Sequence, residues 1–190
     1  MEIRRPKPCD WPQIVVLLLD AFGSEYQRSF RLQAQRLRKF IHDWNVDEDV
    51  WIAFDGEVIG VLNLGSKFSK KKPFLGKLRI IFRSLPLQNL IFAFRGVLKL
   101  RLYFKNSLNI EQVAVSSSCR GKGVGLRLLE FAQERAKELG LERIALMVYG
   151  KNPAVGLYQR FGFKTVKTLN KWIYKSMLGY DEVFFMVKEF

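Results

Sequence analysis

Three glycines at spacing two, Gly121, Gly123 and Gly125, stand between an alternating apolar strand and a long amphipathic helix. The strand, Leu108 to Val115, runs into a Ser-rich loop. The helix that the glycines open keeps Leu128, Phe131, Ala132, Ala136 and Leu139 on one face and is expected to stop at Gly140. A helix leaves the N–H groups of its first turn without intrahelical partners, and its dipole adds roughly half a positive charge there. Backbone alone therefore builds an anion cradle suited to a phosphate, and glycine lets that phosphate come close.

Spacing separates three phosphate-loop designs. A Walker-type loop needs four residues between its first Gly and a Gly-Lys pair followed by Ser or Thr, and the chain has no such run. A dinucleotide fingerprint needs G-x-G-x-x-G almost directly after the strand, with an acid about 20 residues further on. Glu142 lies near that distance, but the glycines read G-x-G-x-G, and Ser116 to Cys119 separate the strand from Arg120. The third design, R/Q-x-x-G-x-G/A, is met at every position by Arg120, Gly121, Lys122, Gly123, Val124 and Gly125. Here the chain resembles the GNAT superfamily of acyl-CoA-dependent N-acetyltransferases. A second block, LMVYGKNPAVGLYQRFGF over 146–163, is similar to the family's later strand followed by N-x-x-A-x-x-L-Y-x-x-x-G-F. Leu157, Tyr158, Gly162 and Phe163 fall in place, and Asn152 stands one residue nearer to them than the pattern spaces it, with Val155 where Ala is commoner.

The resemblance implies an α/β (α+β) GNAT fold: a mixed central sheet of about six to seven strands flanked by helices. It implies acetyl-CoA as donor, with backbone amides from about Gly121 through Lys122, Gly123, Val124 and Gly125 to Leu126 on the pyrophosphate. Arg120 and Lys122 offer side-chain contacts as well. Val113, Ala114 and Val115 would pair with the pantetheine arm as an added strand does, and Asn152 would hydrogen-bond it. Tyr158 matches the general acid, and an aromatic packed on the sheet is its plainer reading. Many family members carry a Glu on the strand before this motif, but Met147 occupies that position here. Glu111 is the remaining strand carboxylate, expected by alternation to share a side with Val113 and Val115. A base role and a strand-end surface charge both fit it. His42, the sole histidine, reads as a helix surface residue.

At 190 residues the chain fits one domain, 1–190. Its net charge of +14 is concentrated in one segment. Eleven of the 32 Lys and Arg residues fall between Glu57 and Glu111, where there is no acid; the rest of the chain carries 21 bases against 18 acids. That segment coincides with an insertion, 66–107, which delays the fourth strand of the family pattern. It reads as a lysine-rich loop and one or two helices broken near Pro86. Basic and apolar residues interleave in it, which suits either a helix packed on the sheet or an amphipathic surface, 67–105, that meets an anionic membrane or an acidic substrate. Without an accompanying RNA-binding motif, nucleic acid ranks below both. The acceptor implied is a small amine or a peptide amine. A catalytically degenerate acyl-CoA-binding module, and a longer acyl donor, are the competing readings.

Elsewhere Ile3 to Pro6 reads as a first strand, and Asp10-Trp11-Pro12 starts a helix that Gly23 is expected to end. A second helix is expected over Ser29 to Trp44. Val50–Phe54 and Val58–Leu64 about Asp55-Gly56 form a hairpin. Strands are expected at Arg143–Val148, Phe163–Leu169 and Val183–Val187, and a short helix from Asn152-Pro153 to Arg160. Cys9 and Cys119 cannot make a disulfide framework, and His and Cys are too few for a metal site. The expected location is cytoplasmic, with the basic insertion suited to the inner membrane face.

Overall fold

The computed structural model describes residues 1–30, 34–46, 49–65, 106–169 and 182–190. Seven strands form one mixed sheet in the order β1-β2-β3-β4-β5-β7-β6: β1 (Glu2–Arg4), β2 (Asp49–Phe54), β3 (Val58–Gly65), β4 (Leu108–Val115), β5 (Arg143–Tyr149), β6 (Lys164–Leu169) and β7 (Val183–Glu189). Among the described residues only the β4–β5 pair is parallel. Every residue of β3 is buried, as a central strand covered on both faces requires.

One face carries α1 (Trp11–Phe30) and α2 (Ala34–Asn45). Leu37, Phe40, Ile41 and Trp44 recur at helical spacing and pack with Ile14 and Leu18 of α1 onto Val50, Ile52 and Val61. The other face carries α3 (Val124–Glu138) and α4 (Val155–Arg160). Leu128, Ala132 and Ala136 lie there against Leu62, Leu64, Leu108 and Ile144. Burying each such Leu or Ile contributes about 2 kcal/mol. α3 ends in a Schellman motif: Gly140, at φ 69°, donates to the Lys137 carbonyl, and Leu141 donates to that of Ala136, both at 2.9 Å.

Three boundaries differ from expectation. Gly23 does not end α1, because a mid-helix glycine costs only about 1 kcal/mol and the buried stripe continues at i+4 through Leu18, Phe22 and Tyr26. α2 begins at Ala34, and α4 begins at Val155, with Asn152 standing before it. Residues 66–105 lie outside the described residues, and with them both expectations for the basic insertion. Among the described residues no helix is long and apolar enough to cross a membrane.

Candidate active site

β4 and β5 are paired only from Leu108 opposite Ile144 to Ile110 opposite Leu146. Beyond that point each keeps its outer neighbour, β4 on β3 as far as Val115 and β5 on β7 as far as Tyr149. The two central strands therefore part. The edge of β4 from Glu111 to Val115 has no strand beside it on that side among the described residues. A cavity of about 860 Å³ fills the gap. Its lining includes Asp20 to Phe22, Glu25 and Tyr26 of α1, the β4 edge, Arg120, Gly121, the first turn of α3, Tyr149, Asn152, Leu157 and Tyr158.

The glycine loop forms one end of this cavity. Gly121 and Gly123 have φ of 77° and 82°, a region that costs an L-residue roughly 1–2 kcal/mol. The first bond of α3 runs from the Arg127 N–H to the Gly123 carbonyl, 3.1 Å. The N–H groups of Val124, Gly125 and Leu126 precede it and have no acceptor within the helix. The Lys122 N–H is different, because it turns back to the Cys119 carbonyl at 3.4 Å, and Lys122 does not line the cavity. Within the expected run from Gly121 to Leu126, Lys122 is thus turned away, while Gly121, Gly123, Val124, Gly125 and Leu126 line the cavity. Arg120 reaches across the cavity mouth: its Nε donates to the Val115 carbonyl at 3.3 Å and its Nη2 to Asp20 Oδ2 at 3.2 Å.

At the other end Asn152 Oδ1 accepts the Ala154 N–H at 2.8 Å, so its Nδ2 is the end it can offer a ligand. Tyr158 is 8% exposed, edge-on to Phe163 with centroids 5.9 Å apart. Burial, with a smaller contribution from Tyr149, pushes its phenol up to about 12, so it stays protonated at neutral pH.

Glu111 occupies a β-bulge. Asn63 faces Gln112 and Leu64 faces Ile110, which leaves Glu111 as the extra residue on β4. The bulge overturns the expected alternation. Val113 and Val115 pack toward α3, as Leu108 and Ile110 do before the slip, whereas Ala114 packs toward α1 and α2. Glu111 is laid over Gly65, where a Cβ would stand 2.8 Å from its Cγ, and its charge acts on the half-buried Tyr26. Met147 lines the cavity at 37% exposure. His42 does not line it, and packs instead against Trp11 at 5.3 Å. Among the described residues no three of His, Cys, Asp and Glu gather into a metal-binding group.

The pattern of the Acetyltransferase (GNAT) family matches residues 11–163. The chain belongs to that family. Two GNAT structures illustrate the likeness of fold. The ribosomal-protein-alanine N-acetyltransferase of Brucella melitensis aligns over 100% of both chains at 22% identity and TM-score 0.64. An N-acetyltransferase of Thermoplasma acidophilum, in complex with coenzyme A, aligns over 100% of this chain and 98% of its own at 16% identity and TM-score 0.59. A Bacillus subtilis relative named uncharacterized N-acetyltransferase YdgE is 51% identical over 45 residues, 23% of this GNAT chain and 29% of that protein. The chain spans under a third of the length of the curated relatives it matches.

Sequence reasoning missed Tyr26, Asn63 and Gln112. Tyr26 lies one helical repeat beyond Phe22, and Asn63 and Gln112 are polar residues at inward positions of strands that are otherwise apolar there, which was the available signal.

Proposed function

We propose that residues 1–190 form one domain, acting in the cytoplasm, that transfers the acetyl group of acetyl-CoA to an amine by direct attack in a ternary complex. The observation that carries this reading is the parting of β4 from β5 beside the α3 N-terminus. It offers a strand edge for an extended pantetheine arm and, continuous with it, backbone N–H groups for a pyrophosphate.

In this reading Val113, Ala114 and Val115 hold the arm, and one of their N–H groups polarises the thioester carbonyl, a contribution worth roughly 3–4 kcal/mol where oxyanion donors have been removed elsewhere. Val124, Gly125 and Leu126 bind the pyrophosphate, together with Arg120 once it leaves Asp20. Glu111, directly or through water, takes a proton from the amine. The amine nitrogen attacks the carbonyl carbon, the carbon–sulfur bond breaks, and the products are an acetamide and the CoA thiol. Tyr158 donates its O–H to the departing sulfur. A phenol near 12 is a weaker acid than a thiol of roughly 8.5, so Tyr158 stabilises the thiolate mainly as a hydrogen-bond donor until the thiolate takes up a proton from solvent, to which Glu111 returns the one it took from the amine.

Thermal unfolding with acetyl-CoA, free CoA, a long-chain acyl-CoA and NAD tests the donor. Ligand at 100 times its dissociation constant adds about 2.7 kcal/mol, or roughly 5–11 °C for a chain of this length. A shift with acetyl-CoA and none with NAD is expected, and the reverse overturns the reading. Turnover is then followed on spermidine, free lysine and a peptide with N-terminal alanine. Acetyl-CoA binding without transfer to any amine would favour a binding module, to which Met147 at the usual carboxylate position gives its support.

A further inference from the structure

Among the described residues two cations line the cavity, Arg120 and Arg160, and the transfer chemistry above uses only the first. Arg120 belongs to the glycine loop and is already engaged, with Nε on the Val115 carbonyl and Nη2 on Asp20. Arg160 closes the last turn of α4, is exposed, and makes no ion pair among the described residues. The carboxylates that line the cavity, Asp20, Glu25 and Glu111, belong to α1 and β4. The opposite wall, from Asn152 to Arg160, holds no acid at all.

An Arg in the last turn of a helix can serve the carbonyls left open there. In α4 the carbonyls of Leu157, Tyr158 and Gln159 are taken, by the N–H groups of Phe161 at 2.9 Å, Phe163 at 2.9 Å and Gly162 at 3.0 Å. The guanidinium instead follows the usual lean of a helical side chain toward the N-terminus. It folds back over Gly156, where its Nη1 would stand 3.3 Å from a Cβ, so the glycine leaves it room to lie there.

Leu157 relates this charge to the phosphate cradle. A Cβ on Gly125 would stand 3.0 Å from Leu157 Cδ2, so the first turn of α3 meets α4 at that pair. Arg160 is three residues beyond Leu157, a neighbouring position on the helix surface, and stands beside the contact rather than in it. A diphosphate on the N–H groups of Val124, Gly125 and Leu126 would meet Leu157 first and find the guanidinium past it on the α4 wall. Acetyl-CoA carries a further phosphate one sugar away from its diphosphate, a monoester on the ribose 3′-oxygen. Such a group bears a charge of about −1.5 to −2 at neutral pH, and a guanidinium can pair with it through two parallel N–H···O bonds.

We propose that Arg160 is a specificity-determining residue that binds the 3′-phosphate of the donor's ribose, so that the protein selects acetyl-CoA over its 3′-dephosphorylated form. This rests on reading the protein as acetyl-CoA-dependent. It gives the unpaired guanidinium a partner that neither the backbone cradle nor Arg120 serves.

Titration calorimetry of wild type and Arg160→Gln, each with acetyl-CoA and with 3′-dephospho-acetyl-CoA, tests the assignment. At low ionic strength wild type is expected to bind acetyl-CoA about five- to tenfold more tightly than the dephosphorylated donor. Arg160→Gln is expected to lose that preference, while its affinity for the dephosphorylated donor stays within twofold of wild type and so reports an intact fold. Wild type that binds both donors alike, or Arg160→Gln that keeps the full preference, overturns the assignment. Arg160→Gln that weakens both donors equally overturns it in favour of a contact with the diphosphate. In each of these cases acetyl-CoA still binds wild type, and the transferase reading stands. Wild type that binds neither donor removes both readings together.

Discussion

Glu111 rests against Gly65, the last residue of the neighbouring strand, so closely that a Cβ at position 65 would overlap its side chain. The contact links the absence of a side chain on β3 to the direction of the one carboxylate that the bulge pushes out of β4. Gly65→Ala is expected to displace Glu111, since the new methyl meets its side chain and not backbone. A fall in kcat of about tenfold, with the acetyl-CoA thermal shift unchanged, is the expected result. Steady-state kinetics beside unfolding curves check it, and unaltered kcat would remove Glu111 from the chemistry.

Tyr158→Phe is expected to keep acetyl-CoA affinity and lower turnover about tenfold or more. The same variant has a signature in stability. The folded phenol is raised to about 12 from an unfolded value of 10.0, so its contribution is complete below about pH 10 and is lost as pH climbs toward 12. The loss amounts to on the order of 2–3 kcal/mol. Tyr26 is raised as well and contributes in the same direction. Denaturant unfolding between pH 9 and 11.5 should therefore show a shallower alkaline decline, by about that amount, in Tyr158→Phe.

Gly123→Ala places a Cβ on a residue at φ 82° that serves as the N-cap of α3. Open space surrounds the site, so the penalty is backbone strain of roughly 1–2 kcal/mol rather than a clash. Relief of that strain would rotate the first-turn N–H groups away from their common target. Acetyl-CoA affinity, measured by titration calorimetry, is expected to weaken about tenfold while the fold is retained.

Asp20→Asn releases Arg120 from its partner on α1. Both side chains are 59% exposed, so the pair contributes no more than about 1 kcal/mol and is screened by salt. If pyrophosphate competes with Asp20 for the guanidinium, the variant binds acetyl-CoA up to about fivefold tighter at low ionic strength and equally at 1 M salt. Weaker binding at low salt would show instead that Asp20 holds Arg120 ready for the donor.

The two motif blocks were legible because their information is local. A loop with glycines at fixed offsets and a helix with Asn before it and Gly-Phe after it read the same in sequence and in space. The Asp55-Gly56 hairpin was legible for the same reason, and β2 and β3 pair about it. What escaped depended on neighbours distant in sequence. Gly23 looked like a stop signal, but the core contacts of Phe22 and Tyr26 outweigh a penalty of about 1 kcal/mol. The bulge did leave a trace: apolar residues fall at Leu108 and Ile110, then at Val113 and Val115, a slip of one in a period of two. Reading LNIEQVAV as a single alternation placed Glu111 on the α3 side. The hydrogen bonds that link Asn45 through Asn63 and Gln112 to Tyr26 draw on four separate elements and have no local signature at all.

The short seam between β4 and β5 has a mechanical consequence. Among the described residues three pairs, Leu108 to Ile110 with Ile144 to Leu146, join the strands of the amino-terminal half of the sheet to those of the carboxy-terminal half. So short a seam leaves the inner hydrogen-bonding edge without a strand partner from Glu111 to Val115 among the described residues. A donor lying along Val113 to Val115 would close that edge and brace one half of the sheet against the other, so amide hydrogens near the seam should exchange more slowly in the loaded protein. The interruption that makes room for a substrate also leaves the fold's last lateral bonds for that substrate to supply.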